Sequence, residues 1–87
     1  MKAVVYQGPR DVAVKDVPDA KIERPTDVLV RMTTTNICGS DLHYFHHGGF
    51  GTVRIREPMA LGHEIAGTVE KVGDEVSRVA PGVRVAV

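Results

Sequence analysis

The sequence predicts a mainly β fold, a small barrel or sandwich carrying one short helix after Cys38. Three observations predict it. Five or six short segments alternate apolar with polar residues or collect β-branched ones, as strands do. Gly/Pro turn signals separate them at short spacing. Only at Cys38-Gly39-Ser40, after a β-branched run, does the pattern break toward helix. There is no internal repeat, heptad or low-complexity tract.

Residues 2–6 form the first strand, rich in Val and closed by Gly8-Pro9. Residues 11–17 set Val12 and Val14 against Asp11, Ala13 and Lys15, the period of a half-buried strand, which Pro18-Asp19 ends. After Pro25-Thr26-Asp27, a strand runs from 28 to 35, where Thr33-Thr34-Thr35 keeps β-branched character. Gly39 and Ser40 break it, and Ser40 or Asp41 is placed to cap a helix running through His43-Tyr44-Phe45. His47-Gly48-Gly49-Phe50-Gly51 reads as a flexible loop. Residues 64–72 return to strand, and Gly67 within it signals a bulge or a close backbone approach. Gly73-Asp74-Glu75 and Pro81-Gly82 turn. Val83, Val85 and Val87 then alternate with Arg84 and Ala86 to the last residue, so the chain reads as one that continues past Val87.

The 87 residues suit one small domain or part of one, and a chain this short buries only roughly 60% of its unfolded surface. Its 43% hydrophobic and 25% charged content are those of a soluble globular protein. Eleven basic and eleven acidic residues, interspersed, leave a formal net charge of +0. No basic patch or stripe offers a nucleic-acid or membrane footprint. The N-terminus has no apolar signal-peptide core, and no apolar run is long enough to span a bilayer. One cysteine makes no internal disulfide, which places the chain in a reducing, cytoplasmic compartment.

That cysteine sits in the most reactive stretch of the chain. Cys38-Gly39-Ser40-Asp41-Leu42-His43 gathers a thiol, a hydroxyl, a carboxylate and an imidazole, and Gly62-His63-Glu64 adds a second imidazole and carboxylate. Thiolate and imidazole are preferred zinc ligands, and a catalytic zinc keeps three protein ligands plus an open position. Cys38 and His63 are the two obvious ligands, and Glu64 is a third candidate. The competing reading is bland, since a lone Cys is usually a buried, inert hydrophobe and an isolated His before a strand usually a hydrogen-bonded residue. With Cys38 and His63 separated by 25 positions, only the fold can bring them together. Other motifs fail. His63-Glu64-Ile65-Ala66-Gly67 lacks the second His of a protease helix. Gly49-Phe50-Gly51-Thr52-Val53-Arg54 has Arg where a dinucleotide fingerprint needs its third Gly. No C-x-x-C exists, which excludes a zinc ribbon and a thioredoxin-type site. His43, His46 and His47 read as a solvated cluster.

Cys38 to His43 taken with Pro58-Met59-Ala60-Leu61-Gly62-His63-Glu64 resembles the zinc-dependent branch of the medium-chain alcohol and polyol dehydrogenases. Gly67-Thr68-Val69-Glu70-Lys71-Val72-Gly73 and Pro81-Gly82-Val83-Arg84-Val85 extend the likeness over essentially the whole chain. Residues 1–87 would then be the first part of a GroES-like β-barrel domain. Zinc-free relatives such as quinone reductases would lack the Cys38 and His63 pair. The departure is Val83, where the family has Asp, which touches a turn and not the chemistry.

The resemblance implies Zn2+ held by Cys38 and His63, with Glu64 beside it as ligand or outer carboxylate. It implies that Asp41 orients His63 by accepting its other ring N–H, as metal-bound histidines require. It makes Ser40 the acceptor of the substrate hydroxyl proton, His43 its outlet to solvent, and Tyr44 a substrate-pocket residue. The implied reaction is oxidation of a secondary alcohol by NAD or NADP, with zinc as Lewis acid. An imidazole, with an ordinary pKa of about 6.5, suits the outer end of the proton path. Residues 43–67 resemble L-idonate and sorbitol dehydrogenases, and 46–54 the idonate branch in particular. Residues 1–42 resemble the glutathione-independent formaldehyde dehydrogenases at least as well. Because 43–54 would lie nearer the pocket, a polyol or sugar acid is the expected substrate. The resemblance also implies a homo-oligomer for the full-length protein. A third zinc ligand, a cysteine-rich lobe and the Rossmann domain that binds the nicotinamide would lie beyond Val87. The segment alone is therefore expected not to turn over. Two other readings remain: a zinc-binding β module without catalysis, and a structural β domain whose Cys38 is inert.

Overall fold

The alternating segments become strands. A computed structural model describes residues 1–87, which fall into two units: Met1–Pro18 with Asn36–His63, and Asp19–Thr35 with Glu64–Val87.

The first unit is built on β1 (Lys2–Gly8), which pairs antiparallel with β2 (Asp11–Asp16) on one side. The turn between them takes Arg10 through the left-handed region at φ 60°. The apolar face expected of Val12 and Val14 is a correction: the two are 38% and 69% exposed, and Ala13 is the half-buried residue of β2. The buried hydrophobic side chains of this sheet are Val5 and Tyr6 of the central strand β1, because β2 lies at the sheet edge.

The helix α1 spans Gly39–His47. Its N-cap is Cys38, not Ser40 or Asp41 as the sequence suggested. Ser and Asp rank above Cys as N-caps, but Asp41 stands at the third helical position. From there it reaches back to accept the Cys38 N–H at Oδ2 (3.0 Å). This is the reciprocal half of a capping box, and it also places a negative charge in the first turn, where the helix dipole favours one. Gly48 closes the helix at φ 73°, its N–H bonded to the Tyr44 carbonyl at 2.9 Å.

Beyond Gly48 the sequence predicted a loop over residues 47–51. Instead β4 (Gly49–Phe50) and β5 (Val53–Arg54) form a small hairpin. Strands of two residues leave no periodicity to read, which also hid β6 (Met59–Ala60). This last strand matters for the site. It pairs with β1 through Val5–Ala60 and Tyr6–Met59, and the Leu61 N–H bonds the Val4 carbonyl at 2.9 Å. The segment ending in His63 is thereby tied to the buried strand.

In the second unit β7 (Ile65–Val72) is central, between β3 (Val28–Thr35) and β8 (Arg84–Ala86). Val69, 2% exposed, is its one fully buried large side chain. The threonine run has a role beyond propensity: Thr33 and Thr35 donate their hydroxyls to the Ala66 and Glu64 carbonyls (3.2 and 3.0 Å). The register of β3 shifts at Leu29/Val30 and again at Met32/Thr34, which is why its alternation does not map onto one buried face.

Gly67 is the close approach its position implied. A Cβ there would stand 2.2 Å from the Arg31 carbonyl oxygen and 2.8 Å from Val30 Cγ1. Gly67→Ala is therefore expected to cost about 1–3 kcal/mol, the usual range for overpacking. It would read as a lower denaturant midpoint at unchanged slope; an unaltered midpoint would show that the β3–β7 pair spreads without strain.

Candidate metal centre

The cap of α1 and the end of the 59–63 segment bring the predicted residues together. Cys38 Sγ and a ring nitrogen of His63 lie within 4.8 Å of each other. A tetrahedral zinc with sulfur at about 2.3 Å and nitrogen at about 2.0 Å would hold those atoms about 3.5 Å apart. Cys38 is half-buried, while the His63 side chain is 47% exposed, so the pair opens to solvent on the imidazole side.

Both ring nitrogens of His63 face a partner. Nε2 stands 3.2 Å from Ser40 Oγ, in the first turn of α1. Nδ1 stands 3.4 Å from Asp41 Oδ1. Asp41 is largely buried, and Oδ1 has no hydrogen bond. A buried carboxylate oxygen without a donor is costly, and the imidazole is placed to supply one by turning Nδ1–H toward it. That tautomer makes Nε2 the acceptor nitrogen, the one that faces Ser40 here and that a metal would use. One carboxylate thus serves both donors, with Oδ2 holding the Cys38 backbone and Oδ1 facing His63. The thiol, the imidazole and the carboxylate behind it fit a zinc ion.

Glu64, joined to His63 by the peptide bond, opens the 64–87 segment of the second unit, and its carbonyl accepts the Thr35 hydroxyl. His43 is exposed on α1, its ring edge-on to Phe50 with centroids 4.6 Å apart. His47 is its neighbour one turn on, at 6.1 Å between centroids.

Tyr44 is half-buried and borders two cavities of the first unit. One, of about 300 Å³, includes Ser40, Asp41, Met59 and His63 in its wall. The other, of about 470 Å³, is bounded by residues 53–59. Arg54, Arg56 and Met59 line it, and sequence reasoning assigned none of them a role. A signal was present, since Arg54-Ile55-Arg56 alternates and Ile55 is the half-buried member. A larger cavity, about 550 Å³, lies in the second unit beside Pro25 and Gly73 and has no His or Cys in its wall. Donor chemistry, not size, marks the site.

Residues 24–87 match the family described as the alcohol dehydrogenase GroES-like domain. The chain belongs to that family. The fold is accordingly part of a GroES-like β domain, with its short helix after Cys38. Among curated GroES-like relatives, sorbitol dehydrogenase of Mus musculus is 46% identical over 85 residues, 98% of this chain and 24% of the relative. A zinc-type alcohol dehydrogenase-like protein of Bacillus subtilis (strain 168) is 51% identical over 85 residues, 98% of this chain and 22% of its own. The crystal structure of L-idonate 5-dehydrogenase from Escherichia coli superposes with a TM-score of 0.75 at 38% identity, covering 99% of this chain and 24% of that one. The chain thus spans about a quarter of the length of these GroES-like relatives. No helix in it is long and apolar enough to cross a membrane.

Proposed function

We propose that residues 1–87 are the N-terminal portion of the catalytic domain of a zinc- and NAD(P)-dependent dehydrogenase that oxidises a secondary alcohol of a polyol or sugar acid. The observation that carries this reading is the His63 ring, flanked by Asp41 at Nδ1 and Ser40 at Nε2, with the Cys38 thiol within 4.8 Å. The substrate class is supported by the sorbitol and L-idonate dehydrogenases among the relatives.

Cys38 and His63 would hold the metal, with Glu64 the adjacent acid available as a further ligand or outer carboxylate. Zinc bound there supplies Lewis acidity, which makes an alcohol hydroxyl acidic near neutral pH. Asp41 keeps the His63 proton on Nδ1. Ser40 Oγ, 3.2 Å from Nε2, receives the hydroxyl proton of the substrate. His43, three residues further along α1 and exposed, returns it to solvent. Tyr44 forms a wall of the substrate pocket. A nicotinamide, the hydride acceptor, is held by a Rossmann domain outside residues 1–87, so this segment alone does not turn over. By the same family resemblance the full-length protein is a cytoplasmic homo-oligomer.

The test is NAD(P)+ reduction by the full-length protein with a panel of polyols, sugar acids and simple alcohols. Chelation is expected to remove activity on polyols or sugar acids, and zinc to restore it. Turnover indifferent to the chelator, or oxidation of none of the panel, would sink the reading.

A further inference from the structure

The cavity beyond Tyr44 carries two cations. Arg54 pairs with Gly49 across the β4–β5 hairpin, and no side chain fits opposite it. A Cβ on Gly49 would stand 2.0 Å from the Val53 carbonyl oxygen, 2.6 Å from Arg54 Nη1 and 3.0 Å from Arg54 Cδ. The arginine therefore lies over the bare backbone of Gly49, with Nη1 donating to the Val53 carbonyl at 3.2 Å. That single bond leaves most of the guanidinium fork available. Arg56 lines the same cavity two residues on. Neither guanidinium has a carboxylate partner, and Glu57, the one acid in the wall, is ion-paired to neither. Two arginines and one glutamate among the lining residues give this wall a formal net charge of +1. Tyr44 and Met59 border both this cavity and the one containing Ser40 and His63, so the two share a wall.

We propose that Arg54 and Arg56 form a subsite for an anionic group, a carboxylate or a phosphate, on the end of the substrate remote from the hydroxyl that reacts at Ser40. This rests on the dehydrogenase reading and narrows its substrate from polyols in general to those with a charged terminus. A planar guanidinium presents paired N–H donors matched to either oxyanion, and such charge-assisted bonds are roughly twice as strong as neutral ones. A neutral polyol offers neither guanidinium an opposite charge. The hairpin fixes Arg54 over Gly49, so little side-chain freedom is lost on binding.

The test compares a six-carbon aldonate, a hexitol 1-phosphate and the neutral hexitol as substrates of the full-length protein, and of its Arg54→Met, Arg56→Met and double variants. The expected result is a kcat/KM at least about tenfold higher for one of the anions than for the hexitol, carried mainly by KM. Whichever anion is preferred names the source. In the double variant that ratio falls about tenfold or more. A hexitol turned over as well as both anions overturns the proposal, as does a ratio unmoved by the substitutions. Both arginines are exposed, and thermal unfolding checks that the variants remain folded. If the protein oxidises none of these compounds, the dehydrogenase reading fails, but calorimetric titration of the aldonate and of the hexitol 1-phosphate still decides the subsite. Binding of either anion to the parent, weakened about tenfold in the double variant, supports it. No binding of either, or equal binding to both proteins, overturns it.

Discussion

Replacing Cys38 with serine in the full-length protein is expected to remove zinc from this site and lower turnover by more than about 100-fold. The figure is a lower bound, because losing a residue that merely supports a ligand already costs about 10–100-fold in metal affinity or activity. Serine keeps the size of the side chain but not its chemistry. A thiolate is a strong zinc donor, and a hydroxyl that stays protonated is a poor one. The position separates this from unfolding. Cys38 is the N-cap of α1, where serine is among the favoured residues. The metal-free variant should therefore be as stable as the metal-free parent, or more stable by up to about 1 kcal/mol. Metal content by mass spectrometry under native conditions and a denaturation midpoint in chelator separate the two effects. Unchanged zinc and unchanged turnover would mean that Cys38 is the inert small residue that a lone cysteine usually is.

How much of this was legible in the sequence depended on the length of the pattern. The β3 strand at 28–35 and the β7 strand at 65–72 are eight residues each, long enough for β-branched composition to show. Gly67 was legible because a glycine inside a strand has few other meanings. The two-residue strands β4, β5 and β6 were not, and β6 is the one that ties the His63 segment to β1. The outward face of Val12 and Val14 was illegible for a different reason: alternation says that a strand has two faces, not which of them is covered. At the site, the residue types of Cys38, Ser40, Asp41 and His63 were readable as chemistry. That Asp41 reaches two of them at once was not, because the sequence does not say which residue caps the helix. Arg54 and Arg56 were passed over, since their meaning comes from a cavity wall formed with Tyr44 and Met59.

Asp41→Asn is expected to weaken zinc binding about 10–100-fold while leaving the protein folded. In the parent, Oδ2 accepts the Cys38 N–H at 3.0 Å and Oδ1 faces His63 Nδ1 at 3.4 Å. Asparagine has the same shape but only one acceptor oxygen, so one of these two relations must fail. If the oxygen stays on the Cys38 N–H, the amide NH2 faces Nδ1. It then favours the tautomer that protonates Nε2, and the lone pair a metal would use is gone. If the amide turns the other way, the oxygen can accept from Nδ1–H, but an NH2 meets the Cys38 N–H and the reciprocal cap opens. The helix also loses a charge in its first turn, worth about 0.3–1 kcal/mol, a change small enough for the fold to survive. Competition with a chromophoric chelator measures the affinity, and unfolding in the same chelator measures the helix contribution. An affinity within twofold of the parent, with stability reduced, would leave Asp41 as a helix cap alone. A lowered affinity with near-parent stability assigns it to the histidine, and the zinc content of Cys38→Ser and Asp41→Asn together should then be no lower than that of Cys38→Ser, because a support has no effect once the ion it serves is gone.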